Sequence, residues 1–588
     1  MKMRKILSLF VSLALAGSMT ACGSPDSNGN SSEGTSADPK TEQSGNLQEE
    51  PDASPAVQGE KDLYGYAEPV TIKIGLSYAA DFSYVEGESA TENNWARLYR
   101  EHNIIPEILY EVDSTQGETK MSTAIMSGNY PDVFGASTSD FVNYAQTDVV
   151  ADITDVFQEY ASEELKEYLN VDGGLALSYV TIDGRMYGLP KMGSSYDSVP
   201  VMFIRQDWLD NLGLAIPATM EELKEVAHAF TYDDPDQNGA DDTYGLAIDG
   251  MNILSNSVGD TSAIFAGFGA YPGTDGMAFV EYEKGKVTWG GTNAEGMKAG
   301  LQLLQDMYAD GSLAKNFITM DANSIFEETG AGRCGIWFGP MWGGMVAGSN
   351  AAQNSPDVHI VSAPVPDGLG TGGSRSLLNP AIESVYCVSS KCENPEVLIK
   401  LMNLSVQKLC YPESEEEFFK YYGNTGVSTG WKCAITQTLA PLKNYDNYKL
   451  VSAALSSGDT SQLNAEQQGD YTNMKKYLDA KGTEAFDPED PEISSGIALY
   501  TVFGDPQGSY AALDEMIRKD RFVYSAYNFL PSDSMAENAS TLKKLTVETI
   551  AKIITGEPVD SYDTFLQTWY ALGGQDVIDD AQAWADSN

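Results

Sequence analysis

Basic residues are scarce. Against 85 Asp and Glu the chain sets 36 Lys and Arg and three His, a formal charge of −49. Nucleic acid is thereby excluded as a partner, because phosphate binding needs concentrated Lys and Arg. Polyanionic ligands are disfavoured for the same reason, and the acidity itself gives solubility and mutual repulsion. The shortage of histidine narrows catalysis. With only His102, His228 and His359 there is no HExxH, and neither a GxSxG elbow nor a Walker lysine loop is present. The run Gly368-Leu369-Gly370-Thr371-Gly372-Gly373 is followed by Ser374-Arg375-Ser376 and an Asn-Pro, not by a helix start, so it reads as a mobile loop or hinge approach. Two-carboxylate hydrolysis stays open on composition, but no motif points to it. Cysteine is sparse too. Beyond Cys22 there are Cys334, Cys387, Cys392, Cys410 and Cys433, an odd number in no zinc pattern. Cys387 sits in an apolar run and is expected as a buried thiol, and a Cys410–Cys433 bridge is one option. No segment approaches the roughly 20 apolar residues of a membrane span.

What is present begins at the N-terminus. Met1-Lys2-Met3-Arg4-Lys5, an apolar run from Ile6 to Ala16 and Ser18-Met19-Thr20-Ala21-Cys22 are the parts of an export signal. A cysteine directly after Thr20-Ala21 resembles the lipobox of bacterial lipoproteins, with Met19 where Leu is usual. The resemblance implies lipidation of Cys22, and a plain signal peptide is the alternative. From Gly23 to about Asp62 the chain is polar and poor in apolar residues, the composition of a flexible spacer. The expected layout is therefore a signal peptide over 1–21, a linker over 22–63, and an exported protein held on the extracellular face of the membrane by lipid alone. The remainder is long enough for more than one domain, and 42% hydrophobic residues suit a globular body.

Val70, Ile72, Ile74 and Leu76 alternate with polar or small residues and predict a strand. A helix is expected over Asn94–Glu101, a strand around Ile108–Val112, a helix around Lys120–Ser127 and a buried strand at Asp132–Phe134. That cadence is of an α/β fold with a parallel sheet, whose ligands sit beyond the carboxyl ends of the strands. Tyr78 to Tyr84 and Ala136 to Asp140 fall there. Further strands are expected at Ser198–Ile204, Gly335–Phe338 and Val358–Val365. A capping box from Thr219 to Glu222 opens one helix, and Asn394-Pro395 is expected to open another. Beyond Ala536 the pattern is helical, with stops at Gly556-Pro558 and Gly573-Gly574.

Asp234-Pro235-Asp236-Gln237-Asn238-Gly239-Ala240-Asp241-Asp242 is the sharpest local constellation. Oxygen side chains at relative positions 1, 3 and 5, Gly at 6, the Ala240 carbonyl at 7 and Asp242 at 9 suit Ca²⁺, a hard cation seeking six to eight oxygens. The Glu expected at position 12 of an EF-hand is replaced by Gly245. The competing reading is an Asp/Asn/Gly turn closing the preceding helix.

Several stretches in order resemble one family. They are Asn94-Trp95-Ala96-Arg97-Leu98-Tyr99, Met126-Ser127-Gly128-Asn129-Tyr130-Pro131-Asp132-Val133, Asp183-Gly184-Arg185-Met186-Tyr187-Gly188-Leu189-Pro190, Ile204-Arg205-Gln206-Asp207-Trp208-Leu209 and Gly335-Ile336-Trp337-Phe338-Gly339-Pro340-Met341-Trp342, with 550–569 extending the likeness. Together they resemble the extracellular solute-binding lipoproteins of carbohydrate ABC transporters, maltose-binding-protein-like and of a long subgroup with extra C-terminal helices. The resemblance implies a two-lobe periplasmic-binding-protein-like α/β fold with a hinge, lobe 1 being 64–190 plus 377–435 and lobe 2 being 191–376 plus 436–588. It implies crossings near Gly188–Val199, Ser376–Leu378 and Gly423–Leu439. It further implies an unreacted oligosaccharide ligand, ABC permease subunits as partners, a monomer, and a structural Ca²⁺ loop in which Thr243 stands where relatives often place an acid.

Sugar sites pair aromatic platforms with polar hydrogen-bonders. The candidates are Tyr78 and Asp81 after the first strand, Ser137 and Asp140 after the third, Lys191 and Tyr196 at the first crossing, and Trp431 near the third. Relatives place a stacking Trp near the Gly-Pro turn flanked by Trp337 and Trp342. Trp95, Trp208 and Trp569 have core spacing. Charge balance argues against uronates, although Arg97, Arg333 and Arg375 are available. A surface glycoside hydrolase and a receptor for a non-sugar solute such as a peptide are the rival readings.

Overall fold

A computed structural model describes residues 61–588 apart from 79–81, 83, 85–86, 172–173, 195, 256, 380–381, 424–429, 439, 528–531 and 588. The expected signal peptide, Cys22, the linker up to residue 60 and Asp81 lie outside the described residues.

The main sheets are built from strands β1 (Val70–Tyr78), β2 (Ile104–Asp113), β3 (Val133–Ala136), β4 (Leu189–Met192), β5 (Val201–Arg205), β6 (Tyr244–Leu246), β7 (Cys334–Gly339), β8 (Ile360–Ala363) and β9 (Ile382–Val388). The first sheet runs β2-β1-β3-β9-β4, with β1 parallel to β2 and β3 and β9 antiparallel to its neighbours. The second runs β8-β5-β7-β6, with β5 antiparallel to β7 and β8 and β6 parallel to β7. Each sheet has its own hydrophobic core. The chain passes from the first sheet to the second over 193–200 and back between β8 and β9.

Local sequence explains the elements that frame the first sheet. Ile72 and Ile74 point inward from β1 and are buried, as the alternation requires. Asn93 caps helix Asn94–Glu101 by accepting from the Ala96 N–H. On that helix Trp95 is buried and donates its indole N–H to the Tyr421 carbonyl at 3.0 Å. Asp132 is structural: its carboxylate accepts from the Lys73 N–H at 2.7 Å, pinning β1 beside the start of β3. The helix expected from Lys120 starts earlier, at Ser114, and runs to Ser127. Gly117 lets it lie against β1, since a Cβ there would come within 2.8 Å of the Ser77 hydroxyl.

In the second sheet β5 and β7 are buried along their whole lengths, so their runs are continuously apolar rather than alternating. Helix Met220–Tyr232 carries the expected capping box between Thr219 and Glu222. The helix expected to open at Asn394-Pro395 begins at Val397 instead. Asn394 and Pro395 form a turn before it, their carbonyls accepting from the Val397 and Leu398 N–H groups. After residue 442, helices Lys443–Ser457, Ala465–Ala480, Ser509–Arg518 and Asp533–Ile554 contribute to the second core. The last helices break at Gly573, whose φ of 102° favours glycine. Among the described residues no helix is long and apolar enough to cross a membrane, and Cys334, Cys387, Cys392, Cys410 and Cys433 are free thiols.

Candidate ligand cavity

A cavity of about 350 Å³ opens beyond the carboxyl ends of β1 and β3. Its floor begins with an absence. A Cβ on Gly75 would meet the Tyr110 ring at 2.3 Å, so the phenol of β2 lies directly over the β1 backbone. The β1–β2 register slips at the same place, between Ile74 and Gly75. Tyr78, Tyr144 and Tyr386 add further rings, and Ser137, Asp140, Glu118, Lys191, Lys432 and Gln437 supply polar groups.

These groups are held by their neighbours. The Ser137 hydroxyl donates to the Asp140 carboxylate at 2.9 Å and accepts from the Asp140 N–H at 3.1 Å, capping helix Thr138–Gln146. The Tyr386 hydroxyl accepts from the Gln437 N–H at 2.6 Å, tying β9 to the segment that closes one wall. Lys191 pairs with Glu383 of the adjacent strand at 2.8 Å. Burial pushes the Tyr78 and Tyr144 hydroxyls up to about 12, with Asp140 reinforcing the shift at Tyr144. Both phenols stay protonated at neutral pH and can donate as well as accept. Beside the cavity, Phe82 stacks on Tyr78 with ring centres 4.0 Å apart, and Tyr84 meets both edge-on.

Of the residues singled out in the sequence, Tyr78, Ser137, Asp140 and Lys191 come together here. Tyr196 does not line the cavity; it packs on Phe522 and Tyr445 beside the second core. Trp431 lies in the short turn Gly430–Cys433, half-buried on the first core, with the Lys432 ammonium 5.9 Å from its ring centre. Trp337 requires a correction. It is fully buried, stacked on Phe203 at 5.5 Å, and donates its indole N–H to the Gly343 carbonyl at 3.2 Å, so it is core and offers no platform. The cause is the central place of β7, both faces of which are covered. Trp342, in the turn Met341–Gly344 after β7, keeps 39% of its surface exposed. Tyr110, Tyr144, Tyr386 and Gln437 were not singled out; the glycine interrupting the β1 alternation was the available signal for Tyr110.

A second cavity, of about 580 Å³, lies in the other half of the fold beyond the carboxyl end of β6. Asp249, Asn252, Asp321, Asn323 and Lys543 line it. Asp249 is buried and its carboxyl is pushed up by that burial, while the Asn252 N–H donates to it at 2.7 Å.

The loop after helix Met220–Tyr232 turns on left-handed residues Asp234, Gln237 and Gly239. The Asp234 carboxylate accepts from the Asn238 and Gly239 N–H groups at 3.1 Å each. The Asn238 amide donates to Asp236 at 2.8 Å and to Asp242 at 3.2 Å. Burial, with repulsion from Asp242 and Asp234, pushes the Asp236 carboxyl up. As these side chains stand, no group of three or more His, Cys, Asp or Glu among the described residues is placed to hold a metal.

Residues 99–431 match the model of a family described as bacterial extracellular solute-binding protein. The polygalacturonan/rhamnogalacturonan-binding protein YtcQ of Bacillus subtilis (strain 168) is 24% identical over 480 residues, 78% of this chain and 82% of that protein. The fructooligosaccharide ABC transporter substrate-binding protein FusA of Streptococcus pneumoniae serotype 4 (strain ATCC BAA-334 / TIGR4) is 28% identical over 246 residues, 40% of this chain and 44% of that one. The solved structure of S. pneumoniae FusA in complex with kestose superposes with a TM-score of 0.59 at 18% identity, covering 88% of this chain and 99% of that one. That likeness shows the two-lobed α/β fold. With more than half its length matched by the family model, the chain belongs to the bacterial extracellular solute-binding proteins.

Proposed function

We propose that this protein captures an oligosaccharide outside the cell and passes it, chemically unchanged, to the permease subunits of an ABC importer. One observation carries the reading: the cavity beyond β1 and β3 sets tyrosine rings among hydroxyl, amide and carboxylate groups. Sugar rings have apolar faces edged by hydroxyls, which this mixture matches. The ligands for which YtcQ and FusA are named, polygalacturonan and rhamnogalacturonan for one and a fructooligosaccharide for the other, support a glycan. In this reading lobes of 64–190 plus 377–435 and 191–376 plus 436–588 close on the ligand by hinge motion. A lipid on Cys22 would keep the receptor beside its permease, raising their effective concentration.

A glycan panel read by melting temperature tests this, since a ligand of the folded state alone stabilises it. Tyr78→Ala is expected to weaken the ligand so found by roughly tenfold or more. Unchanged affinity would remove Tyr78 from the site. Glycan recovered uncut after long incubation separates a receptor from a surface glycoside hydrolase.

We also propose that the 234–242 loop holds a structural Ca²⁺, with Asp234, Asp236, Asn238, Asp242 and the Ala240 carbonyl as ligands. Its support is the Asn238 amide, whose partly positive NH₂ group sits between Asp236 and Asp242, where a cation would relieve their repulsion. Turning that amide over would present its oxygen instead. Chelator is expected to lower the melting temperature by several degrees and to leave glycan affinity nearly intact. A melting curve indifferent to both chelator and added Ca²⁺ would discard the ion.

A further inference from the structure

Building on the oligosaccharide reading, we propose that Tyr99 is a positioning residue for the ligand: from outside the cavity, its hydroxyl holds the wall segment that the ligand meets. Lys432, Ala434, Ile435 and Gln437 form one wall of the cavity beyond β1 and β3. From Ala434 to Thr438 this stretch is neither helix nor strand, so no ladder of main-chain bonds fixes it. Side-chain hydroxyls fix it instead, at three consecutive residues. The Ile435 N–H donates to the Tyr99 hydroxyl at 3.0 Å. The Thr436 hydroxyl meets that of Ser405 at 2.8 Å, both fully buried. The Gln437 N–H donates to the Tyr386 hydroxyl. The three anchors come from helix Asn94–Glu101, helix Val397–Leu409 and β9.

Tyr386 also lines the cavity, so its loss would remove contact and support together. Tyr99 is buried and outside the lining, so it acts only through what it holds. Its helix grips the same part of the chain at a second place. The Asn94 amide donates to the Lys420 carbonyl at 2.6 Å, and Trp95, one turn before Tyr99 on the same face, donates to the Tyr421 carbonyl. The stretch from Asn94 to Tyr99 thus holds the chain on both sides of Trp431 and Lys432. Removing the Tyr99 hydroxyl alone keeps the packing of its ring and strands the Ile435 N–H. That group regains a partner only if the segment moves toward water. Such a shift carries Lys432 and Gln437 away from a ligand and leaves β1 and β3 in place.

Tyr99→Phe is the test, made in the full chain and titrated with short fructo-, gluco-, manno- and galacturono-oligosaccharides. Affinity for whichever of these binds the parent is expected to fall roughly tenfold, with little change in melting temperature. Amide hydrogen exchange should quicken over 430–438 and stay as it was in β1 and β3. In a chain already carrying Lys432→Ala and Gln437→Ala, the same substitution should cost about twofold or less, because the wall no longer grips the ligand. An undiminished loss there would mean that Tyr99 supports the fold at large, and overturns the assignment. Unchanged affinity overturns it too, whether or not exchange quickens. Either result leaves the oligosaccharide reading standing, whereas a parent protein that binds none of these sugars overturns both.

Discussion

Asp470→Asn is expected to raise the melting temperature at pH 8 and to leave it unchanged near pH 3. Asp470 is buried on helix Ala465–Ala480, one turn from Glu466. Burial first, and the Glu466 charge second, push its carboxyl up to about 7 from an ordinary 3.8, against the opposing pull of Lys443. Lys443 already pairs with Glu466, which also accepts from the Tyr422 hydroxyl at 3.1 Å. The lysine sits over the Tyr422 ring, 5.4 Å from its centre. One ammonium thus serves two acids.

The sign follows from proton binding. Below the unfolded value both states hold the proton, and Asp470 has no effect. Between about 4 and 7 the unfolded chain has released it while the folded chain keeps it, so stability falls as pH rises. Above 7 the carboxylate is forced into a buried site and the full penalty, about 4 kcal/mol at most, is in place. Asparagine keeps the shape without the charge. Parallel melting-temperature profiles of the two proteins from pH 3 to 8 would refute the assignment.

The second large effect separates two tryptophans five residues apart. Trp337→Ala is expected to destabilise by about 3–5 kcal/mol, because it empties a fully buried site against Phe203 and orphans the Gly343 carbonyl. Trp342→Ala removes a ring with 39% of its surface in solvent and should change stability by about 1 kcal/mol or less. Denaturant titration of both variants distinguishes them. Equal losses would mean that Trp342 is core as well. Trp342→Ala is accordingly the variant whose ligand affinity can be interpreted, since its fold survives.

The same pair shows what was legible in the sequence. Alternation disclosed β1, because one of its faces is buried and the other is not. It could not orient Trp337, since every residue of β7 is buried and an unbroken apolar run carries no facing information. Local chemistry was readable where it is self-contained: the Thr219–Glu222 box and the Asn94–Glu101 helix follow from neighbouring residues. At Asn394-Pro395 a good start signal was spent on a turn, and the helix opened at Val397. The cavity was half legible. Tyr78 ends β1, and Ser137 and Asp140 follow β3, where topology alone places ligands. Tyr144 stands one helical turn after Asp140, whereas Tyr110, Tyr386 and Gln437 arrive from distant parts of the chain, and only Gly75, on another strand, points to one of them, Tyr110. No motif marks Asp470, and only burial beside Glu466 and Lys443 gives it a distinct chemistry.

Gly75 gives the receptor a base made of main chain. The Tyr110 phenol lies so close over this glycine that a methyl group at position 75 would meet its ring at 2.3 Å. Position 75 therefore has no larger substitute that leaves this aromatic wall of the cavity where it is.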